Sequence, residues 1–241
     1  MRTLRFYCPE INQNTVLADS QFHHLTKVLR LQNGAAVELF DGKGTLAKAI
    51  IKKIEKKEAT LLILDTKKFS PPEKSRIIIA PSIAKGERFD LLVAKCTELG
   101  VDAIYPVLYD RTIKQTIQPK RLDMIAIESA KQCHRLFLPT ISEPLKLPQA
   151  IEKIKIDHPN AKFIFGSLTH GSISILNFNP GENDCVAFIG PEGGLTDDEE
   201  KILNTSNAQP VSLTDTVLRI ETAAIAAVSI LTIHRNFQLK A

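Results

Sequence analysis

No two cysteines in this chain are close enough to form a CxxC pair: Cys8, Cys96, Cys133 and Cys185 lie far apart. That spacing argues against a disulfide framework and against a zinc site. Cys96 and Cys133 fall on apolar helical faces, where a free thiol behaves as a small hydrophobe. The six histidines include no HExxH or comparable ligand spacing, so no metal is expected. No apolar run approaches the ~18 residues that would suggest a membrane span. The opening MRTLRFYCPE lacks the apolar stretch and small-residue cleavage site of a signal peptide. The expectation is a cytoplasmic protein with no membrane partner. Repeats and low-complexity tracts are also missing.

What is present is an ordinary globular composition. The 241 residues are 44% apolar and 24% charged, enough for one large domain or two small ones with a true core. The formal net charge is +4, unevenly spread. Residues 1–75 carry thirteen Lys and Arg against eight Asp and Glu, whereas residues 76–241 carry eighteen against nineteen. A basic first third on a near-neutral body fits a segment that faces a polyanion, or simply a soluble basic face.

The first ~70 residues read as mostly β. Asp41-Gly42 is a hairpin signal between two strand-like runs in AAVELFDGKGTLAKAIIKKI, and EATLLILDTKK is a third strand. Within SQFHHLTKVLRL, Phe22, Leu25, Val28 and Leu29 recur at helical spacing, with His23, His24, Lys27 and Arg30 on the other face. FSPPEKS (69–75) breaks the pattern as a linker. Strands then alternate with helices. RIIIAPS is a buried strand, ERFDLLVAKCTEL a helix stopped by Gly100, and VDAIYPVL a strand. A helix follows from Pro119, striped with Leu122, Ile125, Ala126 and Ser129; then come AKFIFGS, DCVAFIG, TDDEEKILN, QPVSL and a long final helix from Glu221. Several of these strands are wholly apolar, which predicts an α/β fold with a parallel sheet covered on both faces.

Ligands of open α/β sheets bind beyond the carboxyl ends of the strands. FIFGSLTHGS (163–172) and FIGPEGGLTDDEE (188–200) supply such ends. In the second, Gly190, Gly193 and Gly194 allow positive φ and close backbone approach. Thr196 followed by Glu199 is a capping box at a helix start. A bland glycine-rich turn is the alternative. No Lys completes a phosphate loop and GxGxxG is absent. Glu192, Asp197, Asp198, Glu199 and Glu200 crowd the same helix start, which disfavours a di- or triphosphate. An adenosine carrying a sulfonium cation instead of phosphates meets no such penalty, and S-adenosylmethionine fits that description.

FIGPEGGLTDDE, followed some twenty residues on by VSLTDTVLRIETAA, resembles the ribosomal RNA small subunit methyltransferase E family, one of the SPOUT methyltransferases. RFYC, HHLTKVLRL, LFDGKG, AKGERFDLLVAKCTELGVDAIYPV and AIESAKQCHRLFLP are similar to further family motifs in the same order, so the resemblance extends over nearly the whole chain. It implies a PUA-like RNA-binding β-barrel over residues 1–70 and a SPOUT methyltransferase domain over 71–241, closed by a C-terminal trefoil knot. Plain topology rules would not have led to a knot. It also implies a homodimer that uses S-adenosyl-L-methionine to methylate N3 of a uridine in 16S ribosomal RNA within the assembled small subunit. The chain departs from the family pattern at Thr214-Asp215-Thr216 and at Ile220, while Leu218, Arg219, Glu221, Thr222 and Ala223 keep it.

On that resemblance, Leu168, Gly190, Glu192, Gly194, Leu213, Leu218, Thr222 and Ala223 are the cofactor-binding candidates. Arg5, Lys27, Arg30, Lys85, Arg88 and Arg135 are the RNA-binding candidates, each singly also readable as a solvated surface charge. Arg219 and Glu221 are the catalytic candidates. A fixed guanidinium at Arg219 could meet the charge that develops on O2 and O4 when uridine N3 loses its proton, or hold a phosphate. Its alternative is an ion pair with Glu221 or a neighbouring carboxylate. Glu221 is a possible base, or a helix-start carboxylate favoured by the macrodipole. The Ala223–Ala224–Ala227 face permits close helix packing, in a knot or a dimer. Two other function classes stay open: a non-enzymatic RNA-binding or ribosome-assembly protein with a vestigial pocket, which Thr214–Thr216 favours, and a nucleotide-dependent α/β enzyme.

Overall fold

The computed structural model describes residues 4–73, 75–169 and 171–238. The chain divides into two units. The first takes in Met1–Pro71 together with Ala130–Leu138, and the second Pro72–Ser129 together with Pro139–Ala241.

The first unit is built on β1 (Arg5–Tyr7), β2 (Asn14–Ala18), α1 (Asp19–His23), β3 (Ala36–Phe40), β4 (Thr45–Ile54) and β5 (Glu58–Lys68). The strands form one mixed sheet in the order β1-β3-β4-β5-β2, parallel only between β1 and β3. Two register shifts, at Lys48/Ala49 and Ile51/Lys53, mark bulges that bend β4 and raise its twist. Phe6, Leu17, Leu25, Val37, Leu39, Ala49, Ile51 and Leu61 fill the core. The hairpin signal is met by a four-residue turn, in which Asp41 Oδ1 accepts from the amides of Lys43 (2.7 Å) and Thr45 (2.9 Å).

The helical spacing at 22–29 is not met as read. α1 runs into a π-helical turn over His24–Val28, closed by Leu29 N–H donating to His24 O at 3.0 Å. A π turn advances each residue by a smaller angle than an α turn. Leu25 is therefore fully buried, but Val28 swings out to 62% exposure.

No sequence pattern announces Ala130–Leu138 as part of this unit. Its backbone docks on the β3–β4 turn through Gly44 N–H to Leu136 O (3.2 Å) and Leu138 N–H to Gly42 O (2.9 Å). Arg5 completes the attachment. Its guanidinium donates to Glu38 Oε2 at 2.8 and 3.1 Å and to the His134 carbonyl at 2.7 Å. The approach leaves no room for a side chain at Gly44, whose φ is +103°. An added Cβ would stand 2.4 Å from Phe69 O and 2.6 Å from the Phe137 ring.

The second unit contains β6 (Ile77–Pro81), α2 (Arg88–Leu99), β7 (Ala103–Ile104), β8 (Val107–Leu108), α3 (Pro119–Cys133, whose last turn belongs to the first unit), β9 (Thr140–Ile141), β10 (Leu145–Lys146), α4 (Leu147–Asp157), β11 (Lys162–Gly166), β12 (Ile173–Ser174), β13 (Cys185–Ile189), α5 (Asp197–Thr205), β14 (Gln209–Ser212) and α6 (Ile220–Gln238). Seven strands form a parallel sheet in the order β12-β14-β11-β13-β6-β7-β9. The run VDAIYPVL, expected as one strand, splits at Tyr105–Pro106, and β8 leaves the main sheet to pair with β10. The helix α4 is absent from the sequence reading, although Leu147, Ala150, Ile151 and Ile154 are buried at helical spacing.

Both faces of the sheet are covered, as the apolar runs imply. Ile77, Ile79, Ile164 and Ala187 pack in one cluster with α2 and α6 residues such as Phe89, Leu92, Ala224 and Val228. Ile78, Ala80, Phe163, Phe165 and Phe188 point to the other face, into a cluster with Ile151, Ile154 and Leu203 of α4 and α5. The period of two along each strand produces this division. Gly100 ends α2 in the left-handed region, at φ 99°. The end of α6 is tied there: Thr232 Oγ1 donates to Leu99 O (2.8 Å), and Arg235 to Asp102 Oδ2 (2.8 Å) and Gly100 O (3.1 Å).

Two substitutions test these contacts. Gly44→Ala meets backbone on one side and a ring on the other in a strained φ, so chemical denaturation should show a loss of more than about 1 kcal/mol. At α5 both halves of the capping box form, with Thr196 and Glu199 exchanging side chain-to-backbone bonds. Thr196→Ala should cost about 1 kcal/mol, and Thr196→Ser most of an order less, in the same measurement.

Candidate active site

β11 pairs with β13 on one side and β14 on the other, so three chain segments leave the same edge of the sheet side by side. A cleft of about 470 Å³ opens there. Its walls are Gly166–Thr169 after β11, Ile189–Leu195 after β13, and Leu213, Thr214 and Thr216–Leu218 after β14, with Ile220 and Ala223 of α6 and Glu200 of α5. The volume lies within the range of small-molecule sites.

The loop after β13 owes its shape to local bonding. Gly194 N–H donates to Pro191 O at 2.8 Å, and Gly194 itself sits at φ +75°. At Gly166 an added Cβ would meet no atom within 4 Å. A side chain there would occupy the open space of the cleft, so the missing one leaves room for a ligand. The third loop closes on hydroxyls: Thr214 Oγ1 donates to Thr216 O (2.9 Å) and accepts from its amide (3.4 Å).

The lining is apolar apart from backbone groups, Ser and Thr hydroxyls and two carboxylates. Among the described lining residues the charged side chains are Glu192 and Glu200, with no Lys or Arg. Leu168 and Val217 stand on its rim 54% and 73% exposed. Of the acidic residues crowding the start of α5, Glu192 is paired with Arg88 (2.8 Å). Glu199 is 4% exposed and accepts from the Thr196 and Asp110 amides, both at 2.8 Å. Tyr109 is buried beside it and donates its hydroxyl to Ala80 O at 2.8 Å. Burial first, and the Glu199 charge second, push the Tyr109 phenol well above its ordinary value and keep it a donor.

Seven of the eight cofactor candidates, namely Leu168, Gly190, Glu192, Gly194, Leu213, Leu218 and Ala223, line this cleft. Thr222 does not. Ile220 and Ala223, three residues apart, share the face of α6 turned to the cleft, and Thr222 projects away from that face and is exposed. Arg219 is exposed between two lining residues, Leu218 and Ile220, and its side chain has no ion pair among the described residues. Glu221 is 5% exposed, and its Oε2 has no hydrogen-bond partner.

The RNA candidates fall on both units. In the second, Lys85 is exposed and Arg88 is engaged by Glu192. In the first, Lys27 and Arg30 are exposed, Arg135 is half-buried, and Arg5 is committed to Glu38 and His134 O. The sequence reading passed over Gly166, although it ends an apolar strand just as Gly190 does, and Arg111, which no motif marks. Arg111 Nη1 donates to Gly193 O at 2.5 Å and to Leu195 O at 3.3 Å.

No helix among the described residues is long and apolar enough to cross a membrane, and no group of His, Cys, Asp and Glu among them is arranged to hold a metal ion.

Residues 71–232 match the family model of an RNA methyltransferase domain, and residues 17–64 that of an RNA methyltransferase PUA domain. The ribosomal RNA small subunit methyltransferase E of Synechocystis sp. is 32% identical over 91% of this chain and 73% of its own length. That of Rickettsia conorii is 28% identical over 88% of this chain and 86% of its own. The crystal structure of the Neisseria gonorrhoeae ribosomal RNA small subunit methyltransferase E bound to S-adenosyl methionine is 30% identical, covering 96% of this chain and 98% of that one with a TM-score of 0.85. Likeness in sequence and in fold thus runs through both units, and the chain belongs to the ribosomal RNA small subunit methyltransferase E family.

Proposed function

We propose that this protein methylates N3 of a uridine in 16S ribosomal RNA, with S-adenosyl-L-methionine held in the cleft beyond β11, β13 and β14. The observation that carries the reading is that cleft: apolar, shaped by backbone, with no lysine or arginine among its described lining residues, and lined by Glu192 and Glu200. Such a lining suits an adenosine and a sulfonium and disfavours a polyphosphate. It also removes the ground for a nucleotide-dependent enzyme. Leu168, Leu213, Val217 and Leu218 supply apolar surface, and the loops at Gly166 and Gly190–Gly194 bring backbone groups close. The bound cofactor supplies an electrophilic methyl group.

The chain's own residues deal with the nucleotide. Arg219 is always charged and is unpaired at the rim, where it meets the negative charge that loss of the N3 proton places on O2 and O4. Glu221, two residues on, holds a buried carboxylate oxygen with an open acceptor position and serves as the acceptor for a donor of the bound nucleotide. Lys27, Arg30 and Lys85 offer exposed cations to the phosphate backbone.

The same reading covers the rest of the family pattern. α6 passes through the loop that carries β12, in keeping with the packing of Ile175 and Phe178 from that loop in one core with Ala224, Ala227 and Val228. A second copy covers Leu91 on α2 and Ile233 and Phe237 on α6, apolar side chains left 45%, 53% and 73% exposed. The substrate is the assembled small subunit, in the cytoplasm.

Methyl-labelled S-adenosylmethionine, small subunits lacking the modification and the enzyme should yield labelled 3-methyluridine after digestion of the RNA. Arg219→Ala should abolish that label while leaving cofactor affinity within a few-fold. A large affinity loss would mean that Arg219 shapes the loop instead. A cofactor that raises the melting midpoint without any labelling would point to a different substrate base, and neither response would leave the RNA-binding reading. Binding of subunit RNA should weaken steeply between low and physiological salt. A flat curve would remove Lys27, Arg30 and Lys85 from the interface.

A further inference from the structure

The loop Gly190–Leu195 forms one wall of the cleft, yet three of its six residues, Gly190, Gly193 and Gly194, have no side chain to anchor it. Its one internal backbone bond runs from Gly194 N–H to Pro191 O. A loop of this composition has many conformations to lose, and something outside it must select one.

The segment Tyr109–Thr112, which follows β8, reaches the loop through Arg111, and none of its residues lines the cleft. This segment is itself rigid. Thr112 N–H donates to Tyr109 O and Tyr109 N–H to Thr112 Oγ1, both at 2.9 Å. Thr112 Oγ1 shares a hydrogen with Ser82 Oγ at 2.9 Å, and Tyr109 donates to Ala80 O. Tyr109, Thr112 and Ser82 are all buried. Ser82 N–H in turn donates to Ile189 O at 2.8 Å, where the loop begins. At the other end, Asp110 N–H donates to Glu199 Oε1 (2.8 Å) and Thr196 Oγ1 to Asp110 Oδ2 (3.4 Å), where the loop ends. Between these two anchors stands Arg111, donating to Gly193 O and Leu195 O.

A second arginine also reaches the loop, from the start of α2. The Arg88–Glu192 pair joins two side chains that are 34% and 44% exposed. A pair so open to water contributes little and is screened by salt. Arg111 differs in kind. It bonds the backbone itself, at two residues on either side of Gly194, and is held on a buried hydrogen-bonded turn. Its Cδ lies 3.2 Å from where a Gly193 Cβ would be, so the glycine is what lets the guanidinium approach.

We propose that Arg111 is a positioning residue for the cofactor cleft: from outside the cavity it fixes the carbonyls of Gly193 and Leu195, and with them the wall formed by Gly190–Gly194. Arg111 lines no part of the cleft. Its effect is therefore confined to the shape of the wall, and it touches neither substrate nor cofactor. The inference rests on the proposed reading of the cleft as a cofactor site.

The test compares wild type, Arg111→Ala and Arg111→Lys by three measurements. Calorimetric titration with S-adenosylmethionine should show affinity falling about tenfold in Arg111→Ala, the worth of one charged hydrogen bond. Arg111→Lys, which keeps a charged donor on a different stem, should fall between. Steady-state methylation should show the cofactor KM rising with kcat at saturating cofactor nearly unchanged. Amide hydrogen exchange without cofactor should speed up at residues 190–196 in Arg111→Ala while the strands of the same unit keep their protection. The melting midpoint without ligand should move little, since the side chain is exposed.

Unchanged affinity together with unchanged exchange in the loop would overturn the proposal. So would a loss of kcat at saturating cofactor with affinity intact, which would place Arg111 in the reaction itself. If the wild type fails to bind S-adenosylmethionine, the reading of the cleft falls first, and exchange at 190–196 decides the role of Arg111 alone: faster exchange supports it, equal exchange ends it.

Discussion

The parallel pairing of β11 with β13 and with β14 is the constraint on which the site depends. Phe165 stands beside Phe188 in one pairing and beside Pro210 in the other. This register brings the segments after Gly166, Ile189 and Ser212 out of the sheet together. A parallel strand cannot be reached by a tight turn, so each of these segments must travel to a helix or a further crossover before returning. The loops gathered at this edge are therefore long enough to enclose a ligand, while the apolar strands beneath them keep their ends in place. Burial on both faces holds that register, because a slip by one residue would turn Ile77 and Ile79 into the space of Ile78 and Ala80.

The charge at the site is arranged by the same economy of contacts. Five acidic residues precede or open α5, and a simple count makes this end of the sheet strongly negative. The structure divides them. Glu199 satisfies two backbone amides that the helix start and the Tyr109–Thr112 turn would otherwise leave without partners. Glu192 is matched by Arg88. Asp197 faces water and Asp198 pairs with Lys201 (3.0 Å), which leaves Glu200 on the wall of the cleft as a carboxylate with no described cation beside it. The carboxylates at the start of α5 thus favour its N-terminus and discourage phosphates beside it, two effects that come from the same side chains.

Much of this was legible from the sequence where the signal was local. Thr196 and Glu199 are three residues apart before an apolar-periodic run, and the capping box forms. Wholly apolar strands implied a sheet covered twice, and it is. The motif GPEGG at a strand end marked the cleft, and seven of eight residues drawn from the family pattern line it. The departures from the sequence pattern share a cause. Val28 fits a 3.6-residue period, but a single π turn, which no composition marks, rotates it into water. Thr222 lies beside Ala223 in sequence but about 100° around the helix from it, which turns it into solvent. Arg111 escaped notice because its partners are carbonyls of residues about eighty positions away, and a carbonyl has the same name in every residue. The docking of Ala130–Leu138 on the β3–β4 turn is non-local in the same way. The two glycines of that turn recorded the approach, and only the partner was unknown.

Arg219 and Glu221 show how two residues of one short segment can be held in opposite electrostatic states. Arg219 precedes α6 and is surrounded by water, where an unpaired guanidinium costs nothing. Glu221 lies in the first turn of the helix and is almost wholly buried, with Oε2 lacking a donor. An unsatisfied buried polar group costs about 1–3 kcal/mol, and more when charged. The partial positive charge at the start of a nineteen-residue helix offsets part of that, typically about 0.3–1 kcal/mol. On the proposed reading, a donor brought by a bound nucleotide would relieve the remainder, and the exposed cation and the buried carboxylate would be parts of one arrangement.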